Sequence, residues 1–245
     1  MCGLLALVGH AAGAVTEVTV DTVAGASHLM RHRGPDEPGT WTDAAGAAGP
    51  ATGQVVLGFN RLSIIDIAHS HQPLRWGPPE QPDRYVLVFN GEIYNYLELR
   101  EALRAEFGAR FATDGDGEAI VAAYHYWGTA ALTRLRGMFA FAIWDKVNDT
   151  MFIARDGFGI KPLYYTTNTT DGSLLFGSEI KSFLAHPAFI KEVNKDALRP
   201  YLTLQYSSMG ETFFKGVHKL KPAHYMVLKG NDIHTVEYWD KKFHA

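Results

Sequence analysis

The sequence predicts an α+β domain built mostly from antiparallel strands, and two observations support this. The chain has 245 residues, of which 47% are hydrophobic and 20% charged, a composition typical of a globular protein with a sizeable core. Many short apolar segments end in turn-forming residues, whereas only a few segments have helical spacing. Hairpin-like strands together with clustered helices favour sheets layered against helices.

The first half of the chain predicts three strands and three helices. Apolar runs bounded by turn residues predict strands, at Gly3–Val8 and in Gln54–Ile67 and Tyr85–Ile93, where each strand continues into a polar loop. Helical spacing and stop signals predict helices, over about Thr19–Met30, from Asn95 to Gly108 and over roughly Glu118–Trp127. The segment RHRGPDEP at 31–38 predicts a turn after the first helix, and the Ala/Gly-rich segment at 44–53 predicts a loop.

The second half predicts a series of short strands within the same domain. Met138–Trp144 is apolar at odd and even positions alike, which indicates a strand covered on both faces. Further strands are predicted at Met151–Ala154, Pro162–Thr166, Leu174–Gly177, Tyr225–Leu228 and Ile233–Tyr238. The triplet Gly230-Asn231-Asp232 between the last two strands predicts a hairpin turn.

Charge and hydropathy exclude several classes of function. The net charge of −3 provides no electrostatic footprint for nucleic acid or for an anionic membrane. The longest apolar runs, Gly3–Gly9 and Gly137–Trp144, are shorter than the roughly 18 residues that a membrane helix needs. The start MCGLLALVGH lacks the basic and small-residue pattern of a secretory signal.

The single cysteine and the spacing of the histidines add two expectations. One cysteine cannot form an internal disulfide, which fits a reducing compartment, and we expect a cytoplasmic protein. The pairs His28/His32 and His69/His71 have no third ligand nearby of the usual kind. We therefore expect no metal site.

Cys2 is the residue most indicative of function, because it directly follows the initiator methionine. Removal of Met1 would leave a cysteine with a free α-amine, whose reference pKa of about 7.7–8.0 leaves a usable fraction unprotonated near neutral pH. Such an amine can act as general base for its own thiol, and thiolate is a strong nucleophile. The alternative is an incidental cysteine packed in a strand.

Three further segments carry polar residues at the ends of predicted elements. Arg61 ends one strand, and its planar fork suits a carboxylate. Asn90 and Gly91 end another strand, where an amide donor and an unobstructed backbone N–H are the parts of an oxyanion hole. The acidic run Asp114–Glu118 precedes a helix, and simple helix capping is the alternative interpretation of these carboxylates.

These motifs occur in an order that resembles one family. The quoted segments are MCGLLALVG at the N-terminus, RGPD at 33–36, RLSIIDI at 61–67, HQPL at 71–74, FNGEIYNY at 89–96, RGMFAFAIWD at 136–145, ARDGFGIKPLYY at 154–165, FGSEIKS at 176–182 and FKGVHKLKPAHY at 214–225. Together they cover essentially the whole chain. The chain resembles the N-terminal glutaminase domain of glutamine-hydrolysing asparagine synthetase, a class II glutamine amidotransferase.

The resemblance implies a fold and a set of site residues. The implied fold is that of N-terminal-nucleophile (Ntn) hydrolases, with two antiparallel sheets sandwiched between helical layers. The implied catalytic residues are the nucleophile Cys2 and the oxyanion-hole residues Asn90 and Gly91. The implied substrate-binding residues are Arg61 for the α-carboxylate, the pocket-lining Leu62, Ser63, Ile64 and Ile65, and Glu92 and Asp116 for the α-ammonium.

The resemblance also implies a reaction and its partners. L-Glutamine is hydrolysed to glutamate and ammonia through a Cys2 thioester without a cofactor. The ammonia passes to a synthetase domain or subunit that uses ATP and Mg²⁺. No SGGxDS-type loop of such a synthetase occurs in the 245 residues, and asparagine synthesis by this chain alone is not expected. A homodimer is a further assembly that the resemblance allows, whereas no nucleic-acid or membrane partner is expected.

The expected domain organisation is a glutaminase domain over residues 1–210. Residues 211–245 are expected to form a hairpin and linker extension that would lead to the synthetase domain. Two alternatives remain open at this point. The chain could be a stand-alone amidotransferase subunit that supplies ammonia to another acceptor enzyme, or a catalytically silent Ntn-fold domain with a structural or binding role.

Overall fold

The computed structural model describes residues 1–9, 20–43, 55–206 and 210–241. In these ranges the helices are α1 (Val20–His28), α2 (Tyr96–Phe107), α3 (Gly117–Trp127) and α4 (Leu198–Leu204). The strands are β1 (Gly3–Val8), β2 (Glu37–Thr42), β3 (Val55–Arg61), β4 (Leu74–Trp76), β5 (Tyr85–Ile93), β6 (Gly137–Asp145), β7 (Thr150–Arg155), β8 (Tyr164–Thr166), β9 (Leu174–Gly177), β10 (Val217–Lys219), β11 (His224–Lys229) and β12 (Asp232–Glu237).

The strands form two six-stranded sheets in which every pair of neighbours is antiparallel. The first sheet has the order β10-β8-β9-β1-β3-β2, and the second has the order β12-β11-β7-β6-β5-β4. Direct hairpins connect β6 to β7 and β11 to β12. The connection from β5 to β6 contains α2 and α3, although these two strands are also antiparallel neighbours. The predicted α+β architecture with antiparallel sheets is confirmed.

Successive side chains of a strand point to opposite faces of its sheet, and this alternation explains why the two sheets pack face to face. Even-numbered residues of β1 and β5 and odd-numbered residues of β3 point between the sheets and form one apolar core. The opposite faces pack against helices, with α1 on the first sheet and α2 and α3 on the second. A sheet with both faces buried has apolar residues at successive positions, as β6 does in the sequence.

Most elements lie where the sequence predicts them, and the exceptions are short. The bounds of β1, β5 and β9 coincide with the predicted strands. The predicted turn at 31–38 is wrong at its end, because Glu37 and Pro38 already belong to β2 and pair with β3. The strands β4 and β10 and the helix α4 were not predicted. Each is three to seven residues long, too short for a periodic pattern. The predicted loop at 44–53 lies outside the described residues.

The C-terminal segment contributes strands to both sheets. β10 pairs with β8 at the edge of the first sheet, whereas β11 pairs with β7 in the second sheet. The predicted hairpin connects β11 and β12 through Gly230 and Asn231, and Gly230 has a positive φ of 58°. The proposed division of the chain at residues 210 and 211 stays a prediction. None of the helices described here is long and apolar enough to span a bilayer.

Candidate active site

One end of the sandwich collects polar side chains that continue the inward-facing rows of the strands. Cys2 precedes β1 in the same row as Leu4, and Arg61 ends the inward row of β3. Asn90 follows Val88 on the inward face of β5. Because these three strands meet at this end, their terminal side chains surround one cavity of about 210 Å³.

The cavity brings together nine of the ten residues that the resemblance singles out. They are Cys2, Arg61, Leu62, Ile64, Ile65, Asn90, Gly91, Glu92 and Asp116. Ser63 does not line the cavity, and its backbone N–H donates a hydrogen bond to the Asp36 carboxylate at 2.8 Å. Five lining residues were not singled out as site residues, namely Ser70, Gln72, Phe89, Met138 and Lys161. Met1 also lines the cavity.

The thiol of Cys2 is held by the backbone of one residue. The Leu62 N–H donates to Sγ at 3.3 Å, and the thiol is 3.6 Å from the Leu62 carbonyl oxygen. Arg33 fixes the Cys2 main chain from the other side, with Nε donating to the Cys2 carbonyl oxygen at 3.0 Å. Burial raises the pKa of the Cys2 thiol, while the Leu62 N–H and nearby cations act in the opposite direction. A thiol in this setting needs a base before it can attack.

Asn90 is completely buried and its side-chain amide has no hydrogen-bond partner within the described part of the chain. Both Nδ2 and Oδ1 are unpaired in this way. An unpaired buried amide typically costs about 1–3 kcal/mol, and buried polar groups are otherwise almost always satisfied. The amide is thus a preorganised donor facing a cavity, which is the arrangement that stabilises a developing oxyanion.

Gly91 lines the cavity next to Asn90, and its backbone approaches β6 closely. A Cβ at this position would collide with the carbonyl oxygen of Met138 and would lie 2.6 Å from the Phe89 ring and 2.8 Å from the Phe139 Cα. Gly91 pairs with Phe139 across the sheet. Only glycine permits this approach, which keeps the backbone at the cavity free of a side chain.

Gln72 fixes the strand that carries Asn90. Its side-chain Nε2 donates to the Phe89 carbonyl oxygen at 3.2 Å, and its Oε1 accepts from the Phe89 N–H at 2.6 Å. β4 pairs with β5 only as far as Leu74 opposite Leu87. The Gln72 amide therefore takes the place of the next backbone partner in the ladder. The HQPL motif contained this residue, but no pattern in the sequence indicates a side chain that replaces a strand.

The guanidinium group of Arg61 organises the loop after β3. Nη1 donates to the Ile67 carbonyl oxygen at 2.9 Å, and Nη2 donates to the Asp66 carbonyl oxygen at 2.8 Å. Two longer contacts of 3.4 Å reach the Ile65 carbonyl oxygen and the Glu37 carboxylate. The sequence suggests a carboxylate clamp, and the structure adds that Arg61 also shapes the cavity wall. A bound carboxylate would compete with the two longer contacts.

The acidic side of the cavity is formed by Asp116 and Glu92. Asp116 sits at the N-terminal boundary of α3, but its side chain makes no capping bond and instead accepts the Ile93 N–H at 2.9 Å. Burial raises the pKa of Asp116 to about 6, and the neighbouring Glu92 adds to the rise. Simple capping therefore does not account for this carboxylate, which is available to a cationic group in the cavity.

No cluster of three or more His, Cys, Asp or Glu side chains within the described ranges has the arrangement of a metal centre. The His28/His32 and His69/His71 pairs belong to no such cluster. The side chain of His69 contacts Asp66 at 2.9 Å, whereas His71 contacts Glu37 at 2.8 Å. His69 and His71 thus each have a carboxylate partner of their own.

The two facing antiparallel sheets between helical layers, with a thiol at the second residue, define the class as an Ntn-type fold. Glutamine phosphoribosylpyrophosphate amidotransferase from Bacillus subtilis, solved with ADP and GMP, has this fold with a TM-score of 0.69 and 17% identity. The match covers 98% of this chain and 50% of that chain. A family model described as the glutamine amidotransferase domain matches residues 1–239. The chain belongs to this family.

Two relatives are similar over nearly the whole chain. A protein of Mycobacterium tuberculosis strain H37Rv, provisionally named a glutamine-hydrolyzing asparagine synthetase, is 57% identical over 242 residues, covering 96% of this chain and 36% of that protein. Glutamine-hydrolyzing asparagine synthetase 1 of Bacillus subtilis strain 168 is 37% identical over 244 residues, covering 99% of this chain and 36% of that protein. The chain thus spans about a third of the length of these relatives.

Proposed function

We propose that this domain hydrolyses L-glutamine to glutamate and ammonia through a thioester on Cys2. The observation that supports this most is the unpaired Asn90 amide in the cavity that Cys2 also lines. A thiol opposite a preorganised amide donor suits attack on a carboxamide, whose carbonyl oxygen becomes negatively charged in the tetrahedral intermediate. Arg61 on one wall and the acids Asp116 and Glu92 on another match the two charged ends of an amino acid.

The proposed reaction proceeds in two steps. After removal of Met1, the α-amine of Cys2 takes the thiol proton, and Sγ attacks the amide carbon of glutamine. The C–N bond then breaks, the amine returns the proton to the leaving nitrogen, and ammonia departs. The same amine takes a proton from a water molecule, whose oxygen adds to the thioester carbon; the C–S bond then breaks, glutamate is released and the amine returns the proton to Sγ. No cofactor enters either step.

The proposed acceptor of the ammonia is a synthetase domain or subunit of the asparagine-synthetase type, in which ATP and Mg²⁺ activate the substrate that is aminated. The names of the two relatives and the third of their length that this chain matches support this partner. A stand-alone subunit that serves another acceptor and a homodimer stay predictions. The proposed setting is the cytoplasm, where the thiol stays reduced.

The test of the proposed function measures glutamine hydrolysis and identifies the nucleophile in the same experiment. Protein with Met1 removed, as verified by intact mass, is expected to release glutamate and ammonia from glutamine in equal amounts. A chloroketone analogue of glutamine is expected to block this activity and to add one equivalent of mass on Cys2, the only cysteine. A variant with one glycine inserted between Met1 and Cys2 serves as the control, because its amine is displaced from the thiol. Equal activity of this control would contradict the proposed base.

Asp116 gives the site a predicted pH dependence. Because its pKa is raised to about 6, the carboxyl group becomes neutral as the pH falls through about 6, while the ammonium of glutamine stays charged. We expect the Kd for glutamine, measured by calorimetry on the non-reacting Cys2→Ala background, to rise below that pH.

The matched variant is Asp116→Asn, which keeps the acceptor for the Ile93 N–H but loses the charge. Its Kd at pH 7.5 should be about 10- to 100-fold higher, the value of a charged hydrogen bond. It should rise less than the wild-type Kd as the pH falls from 7.5 to 5, because only Glu92, whose pKa burial also raises, still loses its charge. A wild-type Kd that is constant over this range would show that Asp116 does not hold the ammonium group.

A further inference from the structure

Lys161 is a cavity residue to which neither the resemblance nor the proposed reaction assigns a role. It is only 5% exposed, yet it lines the same cavity as Cys2, Asn90 and Glu92. Within the described part of the chain, its ammonium group forms no ion pair or hydrogen bond, although Cys2, Asp156 and Glu92 lie near enough to act on its charge. Burying a cation without a partner is unfavourable, so a use for the charge within the cavity is to be expected.

The position of Lys161 is fixed by the turn that precedes it. The Asp156 carboxylate accepts hydrogen bonds from the backbone N–H groups of Phe158, Ile160 and Lys161 at 2.9–3.1 Å. The guanidinium group of Arg155 donates to the Lys161 carbonyl oxygen at 2.7 Å. Because a buried carboxylate and a guanidinium group both hold this backbone, the fold fixes the point from which the lysine side chain enters the cavity.

The other charges around Cys2 are largely offset by partners of their own. Arg33, which binds the Cys2 carbonyl oxygen, also binds Glu179 at 3.0 Å. Arg61 binds loop carbonyl oxygens and Glu37. Lys161 also acts on Cys2, and within the described chain its ammonium group has no such contact. The acids that share the cavity with it are Glu92 and Asp116, and Asp156 lies behind it.

We infer that Lys161 is a positioning residue whose unpaired charge keeps the Cys2 thiol and the α-amine exposed by Met1 removal ready for reaction near neutral pH. The inference rests on the proposed function, since it assumes that Cys2 is the nucleophile. A nearby positive charge disfavours the protonated amine and favours the thiolate. As a result, the neutral amine and the thiolate are both populated at a lower pH than they would be without the positive charge. Lys161 and Arg61 both lower the pKa of the Cys2 thiol, against the rise that burial causes.

Alkylation of Cys2 tests this inference without requiring turnover. The chain has one cysteine, so the iodoacetamide adduct that peptide mass analysis locates on the Cys2 sulfur reports on that thiol alone. The rate constant is measured between pH 5.5 and 9.5 on Met1-processed wild type, Lys161→Met and Lys161→Arg. The control is Lys146→Met, which removes an exposed lysine in the β6–β7 turn at the opposite end of β6 from Met138.

We expect the midpoint of the pH–rate curve to rise by about one pH unit in Lys161→Met, the size of effect that one partly buried charge exerts at short range. Lys161→Arg and Lys146→Met should keep the wild-type midpoint, because the local charge is unchanged in both. Lys161→Gln serves as a second neutral variant if the methionine variant does not fold, as judged by circular dichroism.

Two outcomes would overturn the inference. One is an unchanged midpoint in a folded neutral variant. The other is an equal shift in Lys161→Arg, which would attribute the effect to packing rather than to charge. The proposed function fails separately, since wild type that shows the expected midpoints but releases no glutamate from glutamine would contradict the glutaminase reaction and not the role of Lys161.

Discussion

Replacing Cys2 with alanine is expected to abolish glutamine hydrolysis, with a loss in kcat of at least about 10⁴-fold. No other cysteine exists in the chain to take over the attack, and without a thioester the water reaction must proceed uncatalysed. Alanine is also small enough to permit removal of Met1, so the free α-amine is retained in the variant. The loss of activity therefore measures the contribution of the sulfur atom and not that of the base. The measurement is glutamate release with enzyme in excess over the background rate.

The fold and the substrate pocket should survive this change. Within the described chain the Cys2 side chain packs at the edge of the core between the sheets and forms hydrogen bonds only with Leu62, at 3.3 and 3.6 Å, whereas its main chain is held by Arg33. We expect a loss of about 1 kcal/mol or less in the free energy of unfolding and an unchanged Kd for glutamine. Cys2→Ser is the matched variant, since it keeps a protonated nucleophile beside the amine, and it should retain more activity than Cys2→Ala. Substantial turnover by Cys2→Ala would rule out the thioester route.

Replacing Asn90 with alanine is expected to lower kcat by about 10²–10³-fold with a much smaller change in KM. This is the usual effect of removing one oxyanion-hole donor, because the donor acts mainly on the charge that develops during the reaction. The amide of Asn90 makes no hydrogen bond in the described chain, so its removal breaks no hydrogen bond that stabilises the fold. Steady-state kinetics with glutamine provide both constants.

Stability separates this role of Asn90 from a structural one. Loss of an unpaired buried amide relieves a penalty of about 1–3 kcal/mol, which offsets the small cavity left behind, and the Tm of Asn90→Ala should stay at or above that of wild type. Asn90→Asp has the same shape but places a carboxylate where the oxyanion forms, and its kcat should fall below that of Asn90→Ala. A strongly lowered Tm together with a raised KM would instead indicate that Asn90 supports the fold.

Much of the fold was predictable because strands buried on both faces leave a strong local pattern. The runs at Gly3–Val8, Tyr85–Ile93 and Leu174–Gly177 are apolar, bounded by turn residues and long enough to identify. β2 was not predicted because its pairing with β3 overrides the turn propensity of RHRGPDEP. β10 has only three residues and is defined by its pairing with β8. Such elements are defined by tertiary contacts, which a local pattern does not contain.

The chemical groups of the site are visible in the sequence: one thiol at the second position, an arginine, an amide followed by glycine, and acids before a helix. These depend on residue type and order along the chain. The folded structure was needed to show that the inward rows of β1, β3 and β5 end around one cavity, that the Asn90 amide is unpaired there within the described chain, and that Arg61 is already bound to its own loop. It also placed Lys161 beside Cys2, although 159 positions separate them. Burial and pairing are properties of the packed sheets, and no stretch of sequence specifies them alone.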